Sequence, residues 1–268
     1  MTVLVTGATG NIGRRVVDEL IRLGGSGIGD IRALTTNPAK AALPESVTAI
    51  TGYLGKPETL PAAFEGVECV YLAPFPATVG PTLELMVQAG VQYVVALSGG
   101  AHWADHADAV TASGLAHTQL GPGEFCENFA MWGPQIKTGT VHDVSPEHVQ
   151  SPVSMDDIAR VAAHLLTAPA DAHLGAMYEL TGPAALSRAD IARQIGAGIG
   201  VPVEMRRCSR AEAEELLRPV MGDAAHWYLD LFDGDLVQQS ANDTVERLTG
   251  TPAESMAQWA ARNRSLFT

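Results

Sequence analysis

Positive charge is scarce in this chain. Seventeen lysines and arginines face thirty acids, a formal charge of −13, which repels both a phosphate backbone and an anionic membrane surface. Nucleic acid and membrane are therefore not expected as partners. Cysteine is scarcer still: Cys69, Cys126 and Cys208 are far apart, odd in number and form no CxxC pair. Neither a disulfide framework nor a zinc knuckle is indicated, and the three read as reduced core or pocket residues. No apolar run reaches the length of a membrane span, and no basic n-region or cleavage site precedes the first strand at Thr2, so a cytoplasmic location is expected. His102 and His106 are four apart, but no glutamate stands between them in HExxH fashion and no third ligand is evident. No metal is expected.

What the chain does have is core material. Hydrophobic residues make up 46% and charged residues 18% of 268, enough apolar surface for one large domain or a major domain with a satellite. Val3-Leu4-Val5 is a β-branched run, and Ile12, Val16, Val17, Leu20 and Ile21 then recur at helical spacing. The alternation continues with strands near 31–35, 47–51, 67–73 and 91–97 and helical stretches near 57–65 and 79–89. Such an order implies an α/β fold, a doubly wound parallel sheet of the Rossmann type. The runs 69–73 and 93–97 are apolar on both faces, as central strands covered by helices should be. Residues 1–150 are expected to form the dinucleotide-binding core. Residues 151–268 should partly return to it and partly, over about 182–240, form a smaller substrate lobe over the cofactor. Ser154 ahead of Asp157 and Ser187 ahead of Asp190 mark two helix starts of capping-box type.

Gly7-Ala8-Thr9-Gly10-Asn11-Ile12-Gly13 joins the first strand to the first helix. A pyrophosphate needs backbone amides aimed at it with no side chain between, and a helix N-terminus supplies those amides and a partial positive charge. The spacing is GxxGxxG rather than GxGxxG, and its position between strand and amphipathic helix gives it meaning. Gly7, Thr9, Gly10, Asn11 and Ile12 are accordingly assigned to the pyrophosphate.

That segment, together with Ile31 to Lys40 and Leu120 to Phe129, resembles the NmrA-like group of atypical short-chain dehydrogenases, and Val153 to Leu166 and Arg247 to Phe267 extend the likeness over nearly the whole chain. The resemblance implies an NAD(P) cofactor and either reduction of quinones and related carbonyls or redox sensing without turnover. No acid ends the second strand to bind ribose hydroxyls, which favours NADP over NAD. Arg32, Thr35, Thr36 and Lys40 are the candidates around a 2′-phosphate, with Arg14 as a further cation; Thr36 stands where NADP-preferring relatives tend to carry arginine. Lys40 has two readings, phosphate partner or solvated surface lysine. Leu72, Ala73 and Pro74 after the fourth strand, Ser98 after the fifth, and Pro122 should flank the nicotinamide and its ribose. Tyr53 stands where relatives often place an aspartate near the adenine; its ring is read either as a stacking partner or as core.

Most members of the wider group protonate a forming alkoxide with a tyrosine and a lysine four positions later. Here the only lysines are Lys40, Lys56 and Lys137, and none has that spacing from Tyr53, Tyr71, Tyr93, Tyr178 or Tyr228. Gly121 also replaces an arginine common in the LRPG motif. The remaining catalytic candidates are Ser98, His102 and His106, the histidines being either proton donors or members of a polar loop. Phe75, Trp103, Phe125, Asn128 and Phe129 are candidates for a substrate pocket, although the helical spacing of Phe125, Phe129 and Trp132 equally suits a core. The reading is an NAD(P)H-dependent oxidoreductase for a quinone or a conjugated aromatic or polyketide carbonyl, which tolerates charge on its oxygen. A non-catalytic NAD(P)-sensing protein is the alternative. Monomer and homodimer both remain open.

Overall fold

In the computed structural model, which describes residues 1–24, 27–99, 103–168, 170–234 and 238–268, the β-branched and aromatic runs become strands. They are β1 (Thr2–Val5), β2 (Asp30–Thr35), β3 (Val47–Thr51), β4 (Cys69–Leu72), β5 (Tyr93–Leu97), β6 (His117–Pro122) and β7 (Met177–Leu180). They form one sheet in the order β3-β2-β1-β4-β5-β6-β7, and every neighbouring pair is parallel. That is a doubly wound, Rossmann-type order whose reversal of direction lies between β1 and β4. β4 and β5 are buried along their full length, as their unbroken apolar character requires.

Helix α1 (Asn11–Arg22) buries Ile12, Val16, Val17 and Leu20 and packs against a later helix, Met155–Thr167, with Arg15 Nε donating to Asp156 Oδ1 at 2.8 Å. That later helix starts directly after Ser154. Other helices include α2 (Pro61–Phe64), α3 (Val79–Ala89) and α4 (Ala104–Ala112). Phe64, Leu83, Met86 and Val110 share a core cluster with Leu4, Leu34, Leu72 and Val94 from the sheet. The helical stretch expected near 57–65 is divided into a 3-10 turn, Pro57–Thr59, and the short α2. Each begins with proline, which suits a first helical position and cannot continue the turn before it.

The chain divides into two compact units. The first comprises Met1–Pro122, Met155–Leu180 and Arg247–Gly250, the second Gly123–Ser154, Thr181–Glu246 and Thr251–Thr268. The units interleave, so no single cut near residue 150 separates them. Within the second unit the helix Arg188–Ile199 is opened by the Ser187–Asp190 capping box. It lies so close to the helix Met256–Arg262 that a Cβ on Gly198 would fall 2.2 Å from the Ala257 carbonyl oxygen. Its first residue, Arg188, is fully buried. Nε and Nη2 donate to Asp143 Oδ2 at 3.0 and 2.7 Å, Nη1 to Gln150 at 3.2 Å and Nη2 to the Tyr228 hydroxyl at 2.8 Å. The guanidinium also lies 4.9 Å from the Trp132 ring centre. A charge this deep is tolerable because an opposite charge and hydrogen bonds meet it. Among the described residues no helix is long and apolar enough to cross a membrane.

Candidate functional site

A cleft of about 370 Å³ opens at the carboxyl ends of the first four strands of the first unit. It is lined by Gly7, Thr9 and Gly10 after β1, by Leu34, Thr35 and Thr36 at β2, by Gly52, Tyr53 and Leu54 after β3, and by Ala73, Pro74 and Phe75 after β4. Strand ends at the topological switch point are where doubly wound sheets receive ligands.

The glycines fix its floor. Gly7 adopts φ +59°, a left-handed conformation that side chains rarely take, and a Cβ there would come within 2.9 Å of Ala73 Cβ. The turn closes through Gly10 N–H donating to the Gly7 carbonyl at 2.8 Å. A Cβ on Gly13 would lie 2.2 Å from that same oxygen, so only glycine lets α1 approach the turn this closely. Gly10 is the N-cap of the 12-residue α1, with no side-chain cap and no acid in the first turn. The exposed amides of that turn and the helix dipole therefore suit an anion, and the cradle fits a dinucleotide pyrophosphate. Thr6 was not singled out from sequence, yet it holds this corner together. Its Oγ1 donates to the Tyr71 carbonyl at 2.9 Å and accepts from Ala73 N at 2.8 Å, tying the end of β1 to the end of β4. A hydroxyl immediately before the glycine turn was the available signal.

Around the end of β2, Thr36 and Lys40 are exposed, and Asn37 accepts from Lys40 N at 3.3 Å to cap the short turn Pro38–Lys40. Arg14 reaches across from α1 to donate to the carbonyls of Ala41 and Ala42 at 3.1 and 2.8 Å, pinning the loop that carries Lys40. Arg32 does not point to this loop: Nε donates to Asp30 at 2.7 Å and Nη1 to the Glu65 carbonyl at 2.7 Å. Alternation along β2 puts residues 30 and 32 on one face, and the acid there claims the guanidinium.

Several other candidates are placed elsewhere. Leu72 is buried in one cluster with Leu4, Val70 and Val94, because alternation along β4 puts it on the same face as Val70. Phe75, assigned from sequence to a substrate pocket, lines the glycine-turn cleft and meets Tyr53 edge to face at 5.6 Å. Phe129 is core in the second unit, 4.8 Å from Trp132. In that unit Phe125 is half-buried and bridges to Val153, and the exposed Asn128 donates to Glu124 Oε1 at 2.5 Å. In the first unit Pro122 ends β6, and Trp103 is half-buried at the N-terminus of α4. Neither lines the glycine-turn cleft. His102 lies outside the described residues.

Ser98 and His106 are brought together. Both are buried, with Ser98 Oγ 3.0 Å from His106 Nδ1. Burial pushes the imidazole pKa from 6.5 down to about 4, and Nε2 has no hydrogen-bond partner among the described residues. Burial therefore favours the neutral form of this ring over the imidazolium. No group of three metal-ligating side chains occurs among the described residues.

Comparison with known proteins bears on the family and the fold. Residues 7–106 match a family model described as NAD(P)H-binding. Over 99% of its length, and 99% of the relative's, the chain is 30% identical to an NAD(P)H azoreductase of Xenophilus azovorans. Its fold superimposes on the triphenylmethane reductase of a Citrobacter species complexed with NADP(H), with a TM-score of 0.84 and 19% identity over 97% of this chain and 99% of that one. It also superimposes on an NADPH-dependent quinone oxidoreductase of Escherichia coli complexed with NADPH, with a TM-score of 0.81 and 24% identity over 98% and 99%. The chain belongs to the NAD(P)H-binding, NmrA-like family of atypical short-chain dehydrogenases and reductases.

Proposed function

We propose that this protein is an NAD(P)H-dependent reductase, with NADP(H) preferred, for conjugated acceptors such as quinones and conjugated aromatic or polyketide carbonyls. The observation that carries this reading is the missing tyrosine–lysine pair: none of the five tyrosines is followed four positions later by one of the three lysines. Reducing an isolated ketone creates an alkoxide that needs a proton in the transition state, whereas reducing a conjugated acceptor leaves charge on a phenolate-like oxygen, whose conjugate acid has a pKa of about 10. The tyrosines serve other ends. Tyr71 is fully buried, which raises its pKa; Tyr93 shares a hydrogen bond with Thr118, Tyr178 with His173 and Tyr228 with Arg188; Tyr53 lies in the cleft. The three lysines are all exposed. The names of the azoreductase and the quinone oxidoreductase also denote conjugated acceptors.

On this reading the N-terminus of α1 binds the pyrophosphate, Lys40 faces the 2′-phosphate, and Ala73 and Pro74 border the bound cofactor, which supplies a hydride equivalent. Ser98, held by His106, positions the backbone at the end of β5. Positioning then carries most of the rate. The test is the loss of NADPH absorbance against a panel of quinones, aromatic ketones and aliphatic ketones. Quinones should react far faster than aliphatic ketones, and fast reduction of an aliphatic ketone would overturn the reading. The same missing tyrosine–lysine pair also favours a second reading, a cofactor-sensing binding protein. Firm NADPH binding without turnover of any acceptor would select it.

A further inference from the structure

The aromatic corner of the cleft has no part in holding phosphate or in the chemistry, yet it is built with care. Tyr53 is 43% exposed, unusual for a ring beside a core, and stands edge to face with Phe75 at an interplanar angle of 78°. Its backbone is fixed. Tyr53 N–H donates to Thr59 Oγ1 at 3.0 Å, that hydroxyl donates to the Lys56 carbonyl at 2.7 Å, and Lys56 N–H returns to the Tyr53 carbonyl at 2.8 Å. A Cβ on Gly55 would lie 2.5 Å from Tyr53 Cε1 and 3.0 Å from Phe75 Cζ, so the chain is kept bare where the rings meet.

The cleft lining contains no Asp, Glu, Asn or Gln. Its polar side chains are hydroxyls, which rotate to donate or accept as required and so distinguish poorly between an amino group and a carbonyl. Two nearby backbone acceptors are already engaged: the Tyr53 carbonyl by Lys56 N and the Leu54 carbonyl by Thr78 Oγ1 at 2.5 Å. A flat heterocycle here meets a π-face and apolar walls, with no side-chain amide or carboxylate to fix its edge.

We propose that the Tyr53–Phe75 corner takes the cofactor's purine by its face and not by its edge. This chain therefore accepts the hypoxanthine analogue of NADPH, in which oxygen replaces the 6-amino group, about as well as NADPH itself. The proposal rests on the reading that the glycine-turn cleft holds the adenosine half of the cofactor. Base–aromatic stacking is sequence-tolerant because every base has a π-face, and its loss weakens binding by roughly 5–100-fold.

The test is calorimetric titration of the full chain with NADPH and with its hypoxanthine analogue, for the parent, Tyr53→Ala, Tyr53→Phe and Gly10→Val. The two cofactors should bind the parent within about threefold of each other; Tyr53→Ala should weaken both by a similar factor, and Tyr53→Phe should restore both. An analogue more than about tenfold weaker than NADPH in the parent, or unchanged binding in Tyr53→Ala, overturns the proposal while leaving the pyrophosphate site standing. Unchanged NADPH binding in Gly10→Val overturns the placement of the cofactor itself.

Discussion

Replacing His106 by leucine separates a buried neutral histidine from a catalytic acid. In the native protein burial holds the imidazole pKa near 4, against 6.5 for a solvated ring. The unfolded chain therefore takes up the proton first. The histidine's contribution to stability is complete above about pH 6.5 and is lost as the pH falls toward 4. At about pH 4.5 the unfolded ring is almost wholly charged while the native ring is still mostly neutral, a penalty of roughly 2–3 kcal/mol that is nearly absent at pH 7. His106→Leu removes that dependence. It should cost about 1–3 kcal/mol at pH 7, because the buried Ser98 hydroxyl loses its partner, and close most of the gap to the parent by pH 4.5. Urea unfolding of both proteins at the two pH values measures it, and taking their difference cancels the many carboxylates that titrate in both. A parent-minus-variant difference that stays constant with pH would refute the buried neutral ring, as would a pH profile of quinone reduction showing an essential acid near 6.5 that the variant lacks.

Other expectations follow from single contacts. Gly10→Val places a branched side chain over the amides at the start of α1, and NADPH binding measured by fluorescence titration should fall by at least about 100-fold. Lys40→Ala should weaken NADPH by roughly fivefold and leave NADH unchanged, about 1 kcal/mol for an exposed charge pair. Arg32→Ala should leave the ratio of the two unaltered, since that guanidinium serves Asp30 and Glu65; an altered ratio would show that Arg32 reaches the cofactor. Arg188→Met abandons the buried Asp143 carboxylate and should destabilise the second unit by about 3–5 kcal/mol in urea unfolding. Arg188→Lys should recover little, because an ammonium cannot reproduce the guanidinium's fork. A loss below about 1 kcal/mol would mean the ion pair is dispensable.

The sequence by itself determined what depends on near neighbours in the chain. Runs that are apolar on both faces, 69–73 and 93–97, read as buried parallel strands, and Gly7, Gly10 and Gly13, placed between a strand and an amphipathic helix, read as a tight turn against which the helix starts. Ser187 with Asp190 set a helix start because both partners of the capping box lie within four residues. Tertiary structure alone decided questions whose partners are far away in the chain. Helical spacing groups Phe125, Phe129 and Trp132 but does not say which rings turn inward; Phe129 and Trp132 do, packed on each other and on the buried Arg188, whereas Phe125 stays half-buried. His106 reads as a polar loop histidine until α4 presses it against Ser98 and strips its water. Phe75 follows β4 and Tyr53 follows β3, with β2 and β1 between those strands in the sheet, so only the segments that extend beyond the strand ends make the two rings neighbours. Local pattern fixes which elements form, whereas desolvation and contact across the sheet fix what each side chain is able to do.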